Sequence, residues 1–526
     1  MKLSNYVIDS LASHGITHIF DVCGGALAHL LDSLYGRSDI TTIPMHHEMA
    51  AAIAAEGYSR ASGNFGVAIA TSGPGATNLI TGIASCYFDS IPCIFITGQV
   101  NTYEYKFNKP VRQIGFQETD IVSIVNPIVK KAMLIKDEKK IRYILEELLN
   151  LIKDGRPGPA LLDIPLNIQR SDINLNKLRP YIKKSYESIP TIKKKSIDQV
   201  RHLIKTSARP IIIAGGGIRS SHAHKELFQF AHATKIPVVA SLMGLDAFPH
   251  NDALFVGMIG TYGNRYANLA IANSDLIIAL GTRFDTRQTG TKPETFARAA
   301  KIVHIDIDPH ELNNKIRVSH PVHADIKQCL TSLLRVKKKL ASNARFNGWI
   351  KRINQWKQQY PDYKVPASPN IDPNYFMHML SKHLPNNAII CGDVGQIQMW
   401  AAQSLRINKT QRFLTEGGMA SIGSGLPMAI GASFAKPKTQ VIVITGDGGF
   451  QLNIQELQTV YHHKLPVKII LLNNGGYGLI KQFQEQYFDC RFQSSGIGYS
   501  YPDFQDIVKA YKISSTKIAY NAEIKG

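Results

Sequence analysis

The residues best suited to chemistry follow two short apolar runs late in the chain. Gly446-Asp447-Gly448 follows the run at 441–445, and Asn473-Asn474 follows the run at 467–472. A carboxylate and an amide oxygen 27 positions apart, each after a predicted strand, can supply two ligands to a hard divalent cation. Glycines let a diphosphate approach the backbone, and a following helix offers free N–H groups. The pattern therefore predicts a site for a metal ion and a diphosphate.

Short apolar runs alternate with helical patterns in three stretches of the chain. The predicted strands are residues 67–71 and 93–97, then 210–214, 237–241, 276–280 and 302–307, then 388–391, 441–445 and 467–472, with a helix at about 76–87. This alternation is typical of parallel sheets covered on both faces, with ligands at the carboxyl ends of the strands. We therefore expect an α/β protein of three doubly wound parallel-sheet domains. Their predicted bounds are 1–176, 190–335 and 365–526, with basic linkers at 177–196 and 335–370.

The composition is that of a folded protein with a basic surface. The chain has 526 residues, 44% of them apolar, and a formal net charge of +20. The lysine clusters have few aromatic residues among them, so we expect a solvated surface and no nucleic-acid partner. The six cysteines include no C-x-x-C pair, which argues against a disulfide scaffold and a cysteine zinc site. With no signal peptide and no long apolar run, we expect a cytoplasmic protein without a membrane partner.

The Gly-Asp-Gly and Asn-Asn pattern is similar to the signature of enzymes that bind thiamine diphosphate, and the wider sequence resembles the acetolactate synthase large subunit and its paralogues. The similar segments are 46–63, 70–78, 115–120, 158–169, 241–245, 281–290, 304–308, 394–403, 425–432 and 446–457. The resemblance implies pyrimidine-binding, central and diphosphate-binding domains. It also implies a homodimer or homotetramer with the cofactor across the subunit interface, and a small regulatory subunit as a further candidate partner.

The resemblance also assigns catalytic roles. Glu48 opens an otherwise apolar helical stretch and matches the glutamate that hydrogen-bonds N1′ of the aminopyrimidine, which helps to generate the reactive carbon of the cofactor. Phe116 and Gln117 match residues that reach the cofactor from the pyrimidine-binding domain. Arg287 matches an arginine that meets the carboxylate of an acceptor 2-keto acid, a role suited to a planar, permanently charged fork.

Further residues are assigned to thiamine diphosphate, Mg²⁺ and a flavin. The glycine-rich segment 415–425 is predicted to be a turn that presents the Ala420 carbonyl and the Ile422 side chain to the pyrimidine. The implied thiamine diphosphate residues are Gly395, Gln396, Gly418, Ala420, Ile422, Gly446, Gly448 and Gly449, and the implied metal ligands are Asp447, Asn474 and Gly476. The residues implied for FAD, or for ADP in its place, are Gly215, Gly216, Ser241, Leu242, Met243, Gly281, Arg283, Asp285, Asp306 and Asp325.

We therefore expect an acetolactate synthase-like enzyme that decarboxylates a 2-keto acid such as pyruvate and joins the product to a second carbonyl. The chain departs from the family at Phe483, Leu166, Ile397 and Val22-Cys23, where the family has tryptophan, lysine, histidine and Tyr-Pro. These changes leave open an aldehyde or keto-sugar acceptor, or simple decarboxylation. A catalytically inactive paralogue is disfavoured because Glu48, Asp447 and Asn474 are all present. Relatives usually continue beyond the position of Gly526, so the diphosphate-binding domain is expected to be truncated or to have a different lid.

Overall fold

The computed structural model describes residues 1–183, 192–335 and 345–525. These residues form two compact units. The first contains the described residues up to 183 together with 389–395 and 414–516, and the second contains the remainder. Residues 184–191 and 336–344 of the predicted linkers, and the predicted start of the central domain at 190, lie outside the described residues. No helix in the described part of the chain has the length and apolar character needed to cross a membrane.

The first sheet has six parallel strands in the order β2-β1-β3-β4-β6-β5. They are β1 (His18–Val22), β2 (Thr41–Pro44), β3 (Gly66–Ala70), β4 (Cys93–Gln99), β5 (Lys131–Leu134) and β6 (Ala160–Pro165). The helices are α1 (Leu3–Ser13), α2 (Ala28–Asp32), α3 (Glu48–Ser62), α4 (Pro74–Asn78), α5 (Ile80–Asp89), α6 (Ile121–Val125), α7 (Ile141–Leu151) and α8 (Leu166–Gln169). Strands β3, β4 and β6 are buried along their whole length because apolar clusters cover both faces of the sheet.

The single helix predicted at about 76–87 is two helices in the structure. Helix α4 begins with Pro74, and α5 begins at Ile80. A proline is accommodated in the first turn of a helix because its missing N–H has no partner there. The interruption at Leu79 has no counterpart in the apolar pattern, so the sequence did not indicate it.

The second sheet also has six parallel strands, in the order β12-β11-β10-β7-β8-β9. They are β7 (Pro210–Ala214), β8 (Val238–Ala240), β9 (Phe255–Met258), β10 (Leu276–Leu280), β11 (Lys301–Asp306) and β12 (His320–His323). The helices are α9 (Lys194–Thr206), α10 (Gly217–Ser220), α11 (His224–Thr234), α12 (Arg265–Asn273), α13 (Thr286–Thr289), α14 (Ile326–Arg335) and α15 (Asn347–Gln359). The strand order reverses between β7 and β10, which is where doubly wound sheets leave a crevice for ligands.

Helix α15 corrects the interpretation of residues 335–370 as a linker. Trp349, Ile353 and Trp356 recur at helical spacing on α15, and all three are buried in the apolar cluster of the second sheet. The charged and polar residues between them give the stretch its linker-like composition, although one face of the helix is apolar. Helix α9 likewise begins at Lys194, inside the stretch predicted as the first linker.

The third sheet has four strands in the order β14-β13-β15-β16. They are β13 (Ile389–Gly392), β14 (Arg412–Leu414), β15 (Val441–Gly446) and β16 (Val467–Leu472). The helices are α16 (Pro373–Leu380), α17 (Gln396–Ser404), α18 (Gly425–Ala435), α19 (Asp447–Leu452), α20 (Leu457–His462), α21 (Gly478–Tyr487) and α22 (Phe504–Ala510). The order matches that of β2-β1-β3-β4 in the first sheet. The three-domain α/β class predicted from the sequence is confirmed.

Helices α3 and α18 cross at very short distance within the first unit. A Cβ added to Gly431 would lie 1.8 Å from the Ala54 carbonyl oxygen, and one added to Gly57 would lie 2.1 Å from the Met428 carbonyl oxygen. Each glycine is therefore required by the backbone of the opposite helix. Both helices lead into the third strand of their own sheet, so the crossing joins equivalent elements of the two sheets.

Candidate active site

Asp447 and Asn474 follow neighbouring strands. Strands β15 and β16 are paired in parallel with Gly446 opposite Leu472, so the residues that follow lie at the same edge of the sheet. The Asp447 side chain is buried, and its Oδ2 accepts a hydrogen bond of 3.0 Å from the Gly476 N–H. The structure therefore brings Asp447 and Gly476 together, as their predicted role requires, and Asn474 lies in the connection between them along the chain.

Tyr499 is a further contact of Asp447 that the sequence analysis did not identify. Its hydroxyl donates to Asp447 Oδ2 over 3.0 Å, and its ring packs 5.0 Å from that of Tyr477. Burial and the adjacent carboxylate raise the pKa of Tyr499. Nothing in sequence spacing signals this contact, since Tyr499 is reached through a loop that follows α21.

Asp393 organises the same edge from strand β13. Its carboxylate accepts hydrogen bonds from the N–H groups of Val394 and Gly423 and from the Thr445 hydroxyl. Burial raises the pKa of Asp393, and these three donors oppose the rise. A Cβ at Gly449 would lie 2.4 Å from Asp393 Oδ2, so glycine is required there. The pattern of a strand followed by Gly-Asp was visible in the sequence but was not recognised as a site feature.

Residues 415–424, here called the 415–424 turn, connect β14 to α18 without helix or strand, as predicted. Ala420 has a left-handed backbone with φ of +57°, and Gly423 has φ of +86°. Gly418 is exposed, and Ala420 and Ile422 are half-buried, so this backbone is accessible. The Glu416 carboxylate accepts a 2.7 Å hydrogen bond from the Ser421 N–H and thereby closes the turn.

Glu48 is the first residue of α3. His47 caps this helix by accepting the Met49 N–H through Nδ1. The Asn78 amide donates to Glu48 Oε2 over 2.9 Å. A Cβ at Gly75 would lie 3.4 Å from Glu48 Oε1, so the Gly-Pro-Gly turn leaves space beside the second carboxylate oxygen. The side chain is half-buried and oriented by Asn78.

Gln117 lies against the same Gly-Pro-Gly turn. A Cβ at Gly73 would be 2.9 Å from Gln117 Cβ, and Gln117 itself has a left-handed backbone with φ of +62°. Glu118 holds this loop, since its carboxylate accepts the N–H groups of Lys106 and Ile114. A left-handed non-glycine residue is uncommon and persists where surrounding contacts impose it. The Phe116 side chain is 86% exposed.

The residues assigned to a flavin lie at the carboxyl edge of the second sheet. Gly215 and Gly281 pack at the β7–β10 switch point, where a Cβ on Gly215 would lie 2.0 Å from the Gly281 oxygen. Asp285 caps α13 by accepting the Arg287 and Gln288 N–H groups. The others follow strands at the same edge: Gly216 after β7, Ser241, Leu242 and Met243 after β8, Arg283 after β10, Asp306 at the end of β11 and Asp325 after β12. Arg287 is exposed, immediately beyond Asp285.

Known proteins match this chain along almost its whole length. Three family models of the thiamine pyrophosphate enzymes match: the N-terminal TPP binding domain at residues 1–124, the central domain at 197–333 and the C-terminal TPP binding domain at 393–525. The acetolactate synthase large subunit of Porphyra purpurea is 37% identical over 520 residues, which cover 97% of this chain and 86% of that protein. The chain belongs to the acetolactate synthase family of thiamine pyrophosphate enzymes.

Other members of this family match the chain over a similar length. The probable acetolactate synthase large subunit of Methanocaldococcus jannaschii is 39% identical over 538 residues, covering 100% of this chain and 89% of that protein. The acetolactate synthase large subunit of Buchnera aphidicola subsp. Schizaphis graminum is 38% identical over 521 residues, covering 99% and 90%. The predicted thiamine diphosphate-dependent, acetolactate synthase-like carboligase is therefore confirmed.

The residues at these edges fit the cofactor of the acetolactate synthase family. A Cβ at Gly448 would lie 2.6 Å from the Tyr477 ring, whereas one at Gly395 would meet nothing within 4 Å. The Tyr477 ring thus packs on the backbone at Gly448, whereas the backbone at Gly395 is open, as close approach of a diphosphate requires. The donor set beside it is a buried carboxylate, an amide and backbone groups, which suits a hard cation.

Three departures from the family pattern have different surroundings. Phe483 lies on α21 with 53% of its surface exposed, and its ring packs against those of Tyr487 and Phe488. Ile397 is buried in α17, where it serves as an apolar core residue. Leu166 is the first residue of α8 and is half-buried.

Proposed function

We propose that the enzyme decarboxylates pyruvate and transfers the resulting two-carbon unit to a second 2-keto acid, giving acetolactate when the acceptor is pyruvate. The observation that carries the proposal is the edge of the third sheet, where buried Asp447 accepts the Gly476 N–H beside the glycines at 446, 448 and 449. The names of the relatives, which match nearly the whole chain, support this activity over unrelated thiamine diphosphate chemistry.

Thiamine diphosphate, when bound, supplies a nucleophilic carbon and an electron sink for decarboxylation. Asp447, Asn474 and the Gly476 carbonyl would hold Mg²⁺. The backbone of Gly395, Gln396, Gly446, Gly448 and Gly449 would receive the diphosphate. Backbone N–H groups at the start of a helix favour a bound anion.

Glu48 would hold the proton that the aminopyrimidine exchanges at N1′. Asn78 donates to one carboxylate oxygen, Oε2, and so fixes the plane of the carboxyl group. The Ala420 carbonyl would accept from the 4′-amino group, and Gly418 and Ile422 would pack against the ring. Each role uses a group that the structure leaves half-buried or exposed in the site region.

Substrate contacts are proposed for three residues. Gln117 would bind the substrate oxygen, and Phe116 would shield the reacting carbon from water. Arg287 would pair with the carboxylate of the acceptor, because an exposed guanidinium forms bidentate bonds with a carboxylate.

We further propose that the second sheet binds FAD, or ADP in its place. The order β12-β11-β10-β7-β8-β9 creates a crevice at the β7–β10 switch point, where Gly215, Gly216 and Gly281 lie. Asp306 and Asp325, after β11 and β12, would contact the nucleotide.

The proposed assembly is a homodimer or homotetramer with the cofactor at the subunit interface, and a small regulatory subunit is a further proposed partner. The family relationship supports this assembly, because several relatives are named as large subunits. Nucleic acid and membrane are not proposed as partners, and the proposed compartment is the cytoplasm.

Product analysis tests the proposed reaction. Purified protein is incubated with pyruvate, thiamine diphosphate and Mg²⁺ and followed by NMR, after the visible absorbance has been recorded for flavin. We expect acetolactate and CO₂. Acetaldehyde as the sole product would contradict carboligation. A coupled product that forms only when an aldehyde or keto-sugar is added would show that the acceptor is that compound and not a 2-keto acid. Absence of cofactor-dependent CO₂ release would overturn the proposal.

A further inference from the structure

Three ionisable side chains, those of Glu56, Arg60 and Asp89, are buried together beside the 415–424 turn. Glu56 and Arg60 lie one turn apart on α3, and Asp89 ends α5. Arg60 Nη2 lies 2.6 Å from Glu56 Oε1 and 2.8 Å from Asp89 Oδ2. The exposed fractions of the arginine and of both carboxylate side chains are 9%, 0% and 0%. Such a pair of bonds fixes the guanidinium and both carboxylates in one geometry.

The Asp89 carboxylate also accepts two hydrogen bonds from the turn. Its Oδ2 accepts the Gly417 N–H over 2.9 Å, and its Oδ1 accepts the Gly418 N–H over 2.8 Å. A Cβ at Gly418 would lie 2.4 Å from Phe88 Cβ, so the backbone is also in contact with the end of α5. Two consecutive amides are thereby fixed just before Ala420.

Glu416 is a third buried carboxyl group at the base of the turn. Its Oε2 accepts the Ser421 N–H on the far side of Ala420. Burial raises the pKa of Glu416 well above its usual range, and the Glu56 and Asp89 carboxylates raise it further. Arg60 from α3 contributes a positive charge to this cluster, which includes three carboxyl groups. Ala420 is therefore fixed from both sides, by Asp89 through Gly417 and Gly418 and by Glu416 through Ser421.

We propose that Asp89, held by Arg60, is a positioning residue for the reaction, and that Glu416 completes the same clamp as a neutral carboxylic acid. The clamp sets the direction of the Ala420 carbonyl and the place of Ile422. This inference rests on the proposed function, which assigns these groups to the aminopyrimidine. Asp89 acts through the backbone of the turn, without touching the cofactor.

The first test is Asp89→Asn, which keeps the size of the side chain but replaces one accepting oxygen by a donating NH₂ group. Asp503→Asn is the matched control, because Asp503 also accepts two consecutive amides, those of Gln505 and Asp506, at the start of α22. We expect Asp89→Asn to weaken thiamine diphosphate binding, measured by calorimetry with Mg²⁺, by about tenfold or more. We also expect a lower kcat at saturating cofactor with little change in the KM for pyruvate, while the control retains both values.

The second test is Glu416→Gln, which keeps an accepting oxygen for Ser421 but cannot ionise. If Glu416 acts as a neutral acid, wild-type affinity for thiamine diphosphate falls as the pH rises through the raised pKa, because a third negative charge forms beside Glu56 and Asp89. Affinity of the Glu416→Gln variant should lack this fall with rising pH. This readout remains decisive if Asp89→Asn fails to fold.

Wild-type cofactor affinity and kcat in Asp89→Asn would overturn the clamp. An identical pH dependence of affinity in Glu416→Gln and wild type would overturn the role of the neutral acid. Wild-type protein that neither binds thiamine diphosphate nor converts pyruvate would instead overturn the proposed function, and with it this inference.

Discussion

Asp21 is a buried carboxyl group within strand β1. It is 2% exposed, and its Oδ1 has no hydrogen-bond partner in the described part of the chain. Burial raises the pKa of Asp21 to about 6. Because the folded-state pKa lies above the unfolded value, the stability contributed by this group is fully present below about pH 4 and is lost as the pH rises through about 6.

Asp21→Asn should remove this pH-dependent loss. The stability difference between variant and wild type should shift in favour of the variant by up to about 3 kcal/mol between pH 4 and 8, since two pKa units correspond to that energy. Chemical denaturation at several pH values measures it. Asp489→Asn is the control, because the Asp489 side chain is 89% exposed and should leave the pH profile unchanged. Parallel profiles for Asp21→Asn and wild type would refute the assignment.

Glu48 is the residue on which turnover should depend most directly. Glu48→Gln keeps the acceptor for Asn78 but cannot exchange a proton, so kcat should fall by about 100-fold or more while cofactor binding is retained. Steady-state kinetics and calorimetry measure the two effects separately. The exposed Glu294 supplies the control Glu294→Gln. Normal turnover in Glu48→Gln would remove Glu48 from the mechanism.

Ala420 occupies a backbone region that glycine adopts without cost. Ala420→Gly should stabilise the protein by about 0.5 to 1 kcal/mol, because relief of the left-handed strain exceeds the entropy that glycine adds to the unfolded chain. Thermal unfolding measures the change. Ala12→Gly, within α1, should act in the opposite direction by about 1 kcal/mol. Loss of stability in Ala420→Gly would show that the alanine methyl group contributes packing.

The crossing of α3 and α18 should not tolerate a side chain at its glycines. Gly431→Ala places a Cβ 1.8 Å from the Ala54 oxygen, so the helices must separate, at a cost of about 3 kcal/mol or more. Gly348→Ala is the control, because Gly348 lies in helix α15 and an added Cβ there meets nothing within 4 Å. A melting temperature that falls only in Gly431→Ala supports the crossing, and equal melting temperatures contradict it.

The sequence predicted elements where local pattern and burial agree. Strands β7, β10 and β16 have the predicted bounds, because their apolar runs are bordered by glycine, proline or polar residues. The strands that were not predicted are β1, β2, β5, β6, β9, β12 and β14. Strands β2 and β12 are short and partly exposed and carry no apolar run, whereas β6 is buried along its whole length and was overlooked. Helix α15 was missed because the charged and polar residues between its apolar positions resemble a linker in composition.

Some residues of the candidate site could likewise be predicted from the sequence, and others could not. Glu48, Asp447 and the glycines were found because their types and spacing are visible along the chain. Asp393 also follows a strand and was overlooked, whereas Asp89 and Tyr499 act through contacts between elements far apart in sequence, such as Asp89 with Gly417. These contacts depend on how strands and helices are arranged, which one sequence does not reveal.

Cofactor and metal should stabilise the fold together. Thiamine diphosphate with Mg²⁺ at about 100 times the dissociation constant should add about 2.7 kcal/mol and raise Tm by a few degrees. Chelation of the metal should reverse the shift, and Asp447→Ala should abolish it. Asp506→Ala, on α22, is the control. An undiminished shift in Asp447→Ala would exclude that carboxylate as a ligand.

The crossing of α3 and α18 has a consequence for how the chain is made. Helix α3 is an alanine-rich segment buried on nearly all sides, and its partner α18 appears only after residues 63–424 have been synthesised. At common rates of translation that interval lasts roughly 20 to 70 s, during which the face of α3 that packs against α18 has no partner to cover it. Nascent chains should therefore depend on chaperones until α18 leaves the ribosome.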